Sequence, residues 1–265
     1  MFELEESPFD IDYVKGEIEF YGLNDYDKDG VRIVTKQLIG RADEFLNKWF
    51  WTEEDGLNIP VLFIDNQLWM SLTPMEIQSA FIADCDAEGK VATAGMGMGY
   101  FTLKCMENDC VNQIDVYEID PRIIEFFNKN FSHREGFDKV HIIEGDVRKK
   151  LVGKYYDYVF MDPYKTLLPD EVIEDAIFFK KKNKIEEYVF WGYEKVLLNA
   201  AILHKKINFE PHLSFTERML FRTWFKTHRD IAGGVDLPDM WEDHVDLKFT
   251  ESALKAIGRY KRKVA

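Results

Sequence analysis

Hydrophobic and polar positions follow two different rhythms along this chain, and the change falls near Lys90. Upstream, Ile33, Leu38, Ala42, Phe45, Leu46 and Trp49 recur at roughly helical spacing, which predicts an amphipathic helix within Val31 to Phe50. Val61-Leu62-Phe63-Ile64 and Gln67-Leu68-Trp69-Met70 are apolar runs around Asp65-Asn66, the pattern of a β-hairpin with a two-residue turn. Thr73-Pro74-Met75-Glu76 then reads as a helix start, with Thr as cap, Pro at the first helical position and Glu three after the cap. That helix runs to about Ala83, and Asp84 to Lys90 is a polar link.

Downstream of Lys90 the pattern alternates short apolar runs with amphipathic stretches, as in an α/β sheet. The run Val91 to Ala94 breaks into Gly95-Met96-Gly97-Met98-Gly99, and a helix follows over Tyr100 to Glu107. A second strand, Gln113 to Glu118, leads through Asp120-Pro121 into a helix from Arg122 to Asn130, with Ile123, Ile124, Phe126, Phe127 and Phe131 on its buried face. Val140 to Ile143 is a third strand, ending at Glu144-Gly145-Asp146. Tyr156 to Met161 is a fourth, ending at Asp162-Pro163-Tyr164. Strand, glycine turn, helix, strand and acidic residue is the order that builds a nucleoside pocket in such sheets. Because parallel sheets bind ligands at the carboxyl ends of their strands, these polar ends converge on one crevice. Beyond Asp170 the pattern predicts mostly helix to Leu203, leaves Phe215 to His228 open between strand and helix, and predicts a closing helix from Glu251 to Lys261.

Composition adds limits. The 265 residues are 46% hydrophobic and 15% aromatic, enough for one large domain or a core with an appendage. The boundaries expected are residues 1–72 for an N-terminal helical and hairpin region and 73–265 for the sheet domain with a helical extension. A net charge of −14 disfavours nucleic acid, and the basic runs Lys180 to Lys184 and Arg259 to Lys263 read as solvated helix ends. No apolar run approaches the ~20 residues that span a bilayer, and the acidic N-terminus lacks the form of a secretory signal; the expectation is a cytoplasmic protein off the membrane. Cys85, Cys105 and Cys110 form no CxxC pair and read as reduced, buried small hydrophobes. Asp25 to Gly30 looks like the start of a calcium loop, yet the twelfth position is Lys36 and Arg32 lies inside, so a polar turn capping the next helix is expected and no metal.

Four ordered segments, AGMGMGYFT, VYEIDPRII, IIEGDVRK and YDYVFMDPY, resemble the class I S-adenosylmethionine-dependent methyltransferases, a superfamily that includes the spermidine synthases. The hairpin and helix before the glycine strand are similar to the front end of the spermidine synthases. The NAD-binding Rossmann proteins compete for the glycines, but their spacing is GxGxxG and this chain has GxGxG. The resemblance implies that Gly95, Met96, Gly97 and Gly99 cradle the methionine moiety and ribose of S-adenosylmethionine. It implies that Glu118 holds the ribose hydroxyls and Ile119 packs on adenine. Asp146 would accept from the adenine amino group with Val147 beside it, and Asp162 would face the sulfonium and the substrate. Asp162 and Tyr164 would be catalytic, with Tyr164, Tyr100 and Trp191 as sources of cation–π contact.

The chain departs from the pattern in three places. Thr93 stands where many relatives carry an acidic residue two before the first glycine. Asp162-Pro163-Tyr164 is one proline short of the (D/N)PPY motif of amine methylation. The spermidine synthase GGGDG loop is absent, and Val159 stands where the first aspartate of its Asp-x-x-Asp-Pro segment falls. The resulting expectation is an α/β, Rossmann-like, mostly parallel sheet flanked by helices, with the small N-terminal region. Its function would be methyl transfer to a small acceptor, an amine among the candidates, and a homodimer is compatible with it. Aminopropyl transfer and non-catalytic adenosyl-nucleoside binding stand as alternatives. Residues 1–56 and 205–265 are expected to lie over the strand ends as the acceptor side of the pocket.

Overall fold

The computed structural model describes residues 11–23, 25–39, 41–43, 49–51, 56–165, 175, 178, 179 and 181–191. It opens with α1 (Ile11–Tyr21), an element that apolar spacing did not announce. A four-stranded antiparallel sheet follows, made of β1 (Tyr26–Lys28), β2 (Val31–Leu38), β5 (Leu57–Ile64) and β6 (Gln67–Ser71) in that order. Between β2 and β5, the short strands β3 (Arg41–Asp43) and β4 (Trp49–Trp51) pair with each other.

Over its described residues, the helix expected from Val31 to Phe50 is therefore corrected to strands. Val31, Ile33, Val34 and Thr35 are β-branched, and β2 pairs with β5 along its whole length, from Val31 opposite Ile64 to Leu38 opposite Leu57. Val31 and Ile33 are buried while Arg32 and Val34 are half-buried, so the period is two, and pairing with β5 overrides the helical spacing. Asp25 to Gly30 is likewise not a helix cap: Asp29 and Gly30 make the turn between β1 and β2, and the Asp25 carboxylate accepts from the amide and hydroxyl of Thr35 at 2.9 and 3.1 Å. The hairpin β5–β6 forms as expected. Asp65 and Asn66 both have positive φ (51° and 62°), the backbone that a two-residue turn needs to match the strand twist.

α2 (Pro74–Asp86) begins at Thr73, whose hydroxyl accepts from the Glu76 amide at 3.4 Å. The main sheet then alternates with helices: β7 (Gly89–Ala94), α3 (Tyr100–Glu107), β8 (Val111–Glu118), α4 (Pro121–Phe131), β9 (Val140–Glu144), the short α5 (Val147–Lys150), β10 (Tyr155–Met161) and β11 (Lys184–Phe190). All five strands are parallel, in the order β11-β10-β7-β8-β9. The first three strands thus run outward in one direction from β7, and the fourth and fifth in the other. This is the doubly wound, Rossmann-like order, with its topological switch between β7 and β10. Within the helix expected from Asp170 to Leu203, Asp175, Phe178, Phe179, Lys181 and Lys182 are helical, and β11 corrects Lys184–Phe190 to a strand. Residues 170–174, 176, 177, 180 and 192–203 of that stretch lie outside the described residues. Ile185, Tyr188, Val189 and Phe190 favour a strand, and β10 offers a free edge from Tyr155 to Met161 that they pair along. The expectations for Phe215 to His228, Glu251 to Lys261 and the flank 205–265 lie outside the described residues.

Two apolar clusters pack on the faces of the main sheet. One joins Val91, Ile114 and Val116 to Phe126, Phe127 and Phe131 of α4, and extends through Ile77 of α2 to Val14, Tyr21, Ile33 and Leu62. The other holds Ala92, Ala94, Tyr117, Val159, Met161 and Phe179. Burial on both faces explains why these strands read as continuous apolar runs. Cys105 is buried, but Cys110 is exposed in the turn before β8, contrary to expectation; the side chain of Cys85 is outside the described residues.

Candidate functional site

The parallel pairing continues past the strand ends and holds them level. The Asp162 amide donates to the Ala94 carbonyl at 2.8 Å, Gly95 to Tyr117 at 2.9 Å, Gly145 to Glu118 at 2.8 Å and Trp191 to Met161 at 2.8 Å. At the switch between β7 and β10 the chain must turn sharply. Gly95 does so at φ +82°, and a Cβ there would fall on the carbonyl of Asp162. Gly97 lies under the hairpin, its Cα against the thioether of Met70, while the Met98 amide donates to Met70 Sδ at 3.1 Å. From the other side the buried Tyr21 hydroxyl of α1 donates to the Met98 carbonyl at 2.9 Å. The glycine turn is therefore clamped between the hairpin and α1, and α1 comes from the stretch 1–56 whose role the sequence left open.

These strand ends and the hairpin enclose a cavity of about 500 Å³, within the range of small-molecule and cofactor sites. Gly95, Met96, Gly97, Glu118, Ile119, Asp146, Val147, Asp162 and Tyr164 all lie on its wall, with Tyr100 and Trp191. Gly99 does not. It caps α3 and lies against Phe127 of α4, so its role is packing of the turn against that helix.

Glu118 is buried, and its carboxylate has work inside the protein. Oε2 accepts from the Met96 amide at 2.8 Å, and Oε1 from the amides of Ile119 and Asp120 at 2.7 and 2.8 Å. It thereby ties the glycine turn to the tip of β8. A carboxylate offers about four lone-pair sites, so roughly one remains for a ligand hydroxyl. Ile119 is 68% exposed and presents an apolar face to the cavity. Asp146 caps α5, accepting from the Arg148 amide at 2.9 Å, with Lys149 Nζ 3.5 Å from its other oxygen.

Asp162 is part-buried at the tip of β10. Burial pushes its carboxyl well above the ordinary aspartate value, and the charge of Glu76 raises it further. Glu76, in the first turn of α2, lines the same cavity, and burial pushes its carboxyl up to about 7. Sequence reasoning placed Glu76 only as a residue of the helix start. Its carboxyl was legible as a capping signal, and nothing in the local pattern aimed it at the glycine turn. Tyr164 donates its hydroxyl to Asp175 at 3.1 Å, and Asp175 is held in a two-point pair with Arg148 at 2.8 and 2.8 Å. Burial, followed by the Asp175 charge, pushes the Tyr164 phenol far up, so it stays protonated and serves as an aromatic wall or a fixed hydroxyl. Tyr100 is pinned in the same way by Glu17 of α1, and Trp191 donates its indole N–H to Ser79 at 2.8 Å.

No protein-family profile matches the chain, and no curated protein matches it. Solved structures that resemble it include a spermidine synthase from Thermotoga maritima, with TM-score 0.34 and 16% identity over 56% of this chain and 50% of that one. An S-adenosylhomocysteine-bound methyltransferase from Podospora anserina matches with TM-score 0.37 and 16% identity over 62% of this chain and 69% of that one. A Trypanosoma brucei enzyme–prozyme complex with S-adenosylhomocysteine matches with TM-score 0.32 and 15% identity, covering 43% and 37%. This chain thus spans about half the length of the spermidine synthase it matches. The fold assignment stands on the strand order and the switch-point cavity. Among the described residues no helix is long and apolar enough to cross a membrane, and no group of three metal-ligating side chains occurs.

Proposed function

We propose that this protein is an S-adenosylmethionine-dependent methyltransferase acting on a small acceptor. The observation that carries the reading is the convergence of Gly95, Glu118, Asp146 and Asp162, from four successive strand ends, on one cavity at the topological switch point. The wall fits an adenosyl ligand. Gly97 keeps the backbone bare beneath the hairpin, Glu118 retains acceptor capacity for a ribose hydroxyl, and Ile119 offers an apolar face for adenine. Asp146 has capacity left beyond its capping bond for an exocyclic amine. S-Adenosylmethionine, when bound, supplies a methyl group on an electrophilic sulfonium.

The protein's own contribution is position and dryness more than acid or base strength. The hairpin lies over Gly97, and the buried Trp191 lines the same cavity. With an amine acceptor, the S–CH₃ bond breaks as the N–CH₃ bond forms, the sulfonium becomes a thioether, and the nitrogen sheds one proton. Asp162, at the tip of β10, would orient that nitrogen and, in its ionised form, take the proton, for which burial raises its affinity. Tyr164, held by Asp175, forms an aromatic side of the same space.

Aminopropyl transfer is the second reading. It is favoured by the hairpin and α2 standing directly before the glycine strand, with Met70 of the hairpin on the glycine turn. Chromatography of the adenosyl product separates the two. Incubation with S-adenosylmethionine and an amine panel should yield S-adenosylhomocysteine. Decarboxylated S-adenosylmethionine and a diamine giving 5′-methylthioadenosine instead would select the second reading. Binding without either product would leave a nucleoside-binding protein and overturn catalysis.

A further inference from the structure

Glu76 and Asp162 reach the cavity from different elements, the first turn of α2 and the tip of β10. Among the described residues neither carboxyl has a hydrogen-bond or ion-pair partner, whereas Glu118 and Asp146, on the same wall, are both engaged. The cations lining the cavity among the described residues are committed elsewhere. Arg122 is held by Asp65 and Asp120, Arg148 by Asp175, and Lys165 donates to Gln67. Two carboxylates on one cavity wall, with no counter-charge on them among the described residues, cannot both ionise cheaply, and both are pushed toward the neutral form. Thr93 lines the same space. Its hydroxyl donates to the Gly95 carbonyl at 3.4 Å, which leaves its own oxygen free to accept. The aromatic rings of Trp191 and Tyr164 complete the surroundings.

We propose that Glu76 and Asp162 form a paired-carboxylate receptor for one ammonium group, with Thr93 as a third acceptor. Three acceptors match the three donors of a primary ammonium, and the aromatic walls add attraction for its charge. The inference rests on the adenosyl reading and deepens it, because it names Glu76 as the residue that makes up for the neutral Thr93 beside the glycine turn. Two ligand groups share this chemistry: the α-ammonium at the amino-acid end of the nucleoside and the ammonium of an amine acceptor. A cation entering the site stabilises both ionised carboxylates, so binding expels a proton near neutral pH.

Calorimetry on the full chain and on Glu76→Gln, in two buffers of different ionisation enthalpy, tests this with three probes. S-Adenosylhomocysteine carries the nucleoside and the ammonium, 5′-methylthioadenosine carries the nucleoside alone, and 1,4-diaminobutane carries ammonium groups alone, added to free and nucleoside-loaded protein. If the amino-acid end supplies the ammonium, Glu76→Gln weakens S-adenosylhomocysteine about tenfold or more and leaves methylthioadenosine unchanged. If the acceptor supplies it, both nucleosides bind as before and the diamine is weakened by a similar factor. In either case the proton release is smaller in the variant than in the wild type, because only Asp162 remains to ionise, and Glu76→Asp, which keeps the charge, restores part of the affinity. That second variant also serves if Glu76→Gln fails to fold. Unchanged affinities and proton release in Glu76→Gln would overturn the receptor while leaving the adenosyl reading intact. Glu76-dependent diamine binding with neither nucleoside bound would do the reverse, and a wild type that binds none of the three overturns both.

Discussion

Replacing Glu76 with glutamine should make the ligand-free protein more stable than the wild type at alkaline pH. In the native protein burial raises the Glu76 carboxyl from its usual 4.5 to about 7. A carboxyl raised on folding leaves stability fully present below its unfolded value, and stability is lost as pH climbs through the folded value. For Glu76 that window runs from about pH 4.5 to just above 7. The full shift corresponds to roughly 3 kcal/mol, and the water that an open cavity admits reduces this to about 1–3 kcal/mol. Asp162 follows in the same direction, and removing the charge of Glu76 should bring its own titration down. Urea denaturation of wild type and Glu76→Gln, from about pH 5 to pH 8, reads the difference directly. Comparing the two proteins cancels the general repulsion expected of a chain with net charge −14. The variant should gain on the wild type steadily across that range. Parallel curves would show that Glu76 ionises freely and would refute the enclosed-pair argument.

Other perturbations follow from the same geometry. Tyr21→Phe removes the buried hydroxyl bond to the Met98 carbonyl and should cost about 1–2 kcal/mol in urea denaturation; an unchanged midpoint would mean that α1 does not clamp the turn. Gly95→Ala puts a methyl group onto the Asp162 carbonyl at φ +82° and should cost roughly 2–4 kcal/mol, whereas Gly153→Ala, at φ +77° with open space around it, should cost only about 1 kcal/mol by the same assay. Glu118→Ala strips acceptors from three backbone amides, so thermal denaturation should show a loss of about 2–3 kcal/mol even without ligand. A loss seen only with nucleoside present would mean that the carboxylate serves the ligand alone.

Much of the sheet domain was legible in the sequence because its signals are local. The strands at Val91, Gln113, Val140 and Tyr156 are apolar runs that stop at polar tips, and Gly95 marks the turn that only a residue without a Cβ fits. The helix cap at Thr73 was likewise visible. What could not be read depends on distant pairing. β2 carries apolar residues at helical spacing but is drawn into a sheet by β5, and β11 becomes a strand because β10 leaves an edge beside it. The same holds at the site. Four strand tips were placed by their order along the chain, whereas Glu76, Met70 and Tyr21 reach the glycine turn through folding of the N-terminal region onto it. Nothing in their own neighbourhoods signals that meeting.

The account turns on an adenosyl nucleoside occupying the cavity between β7 and β10. Titration of the wild-type protein with S-adenosylhomocysteine is its most direct test. One molecule per chain should bind, with a dissociation constant of order 1–100 μM, and Glu118→Ala should weaken it. Absence of any binding heat up to about millimolar ligand, from a protein shown to be folded, would contradict it.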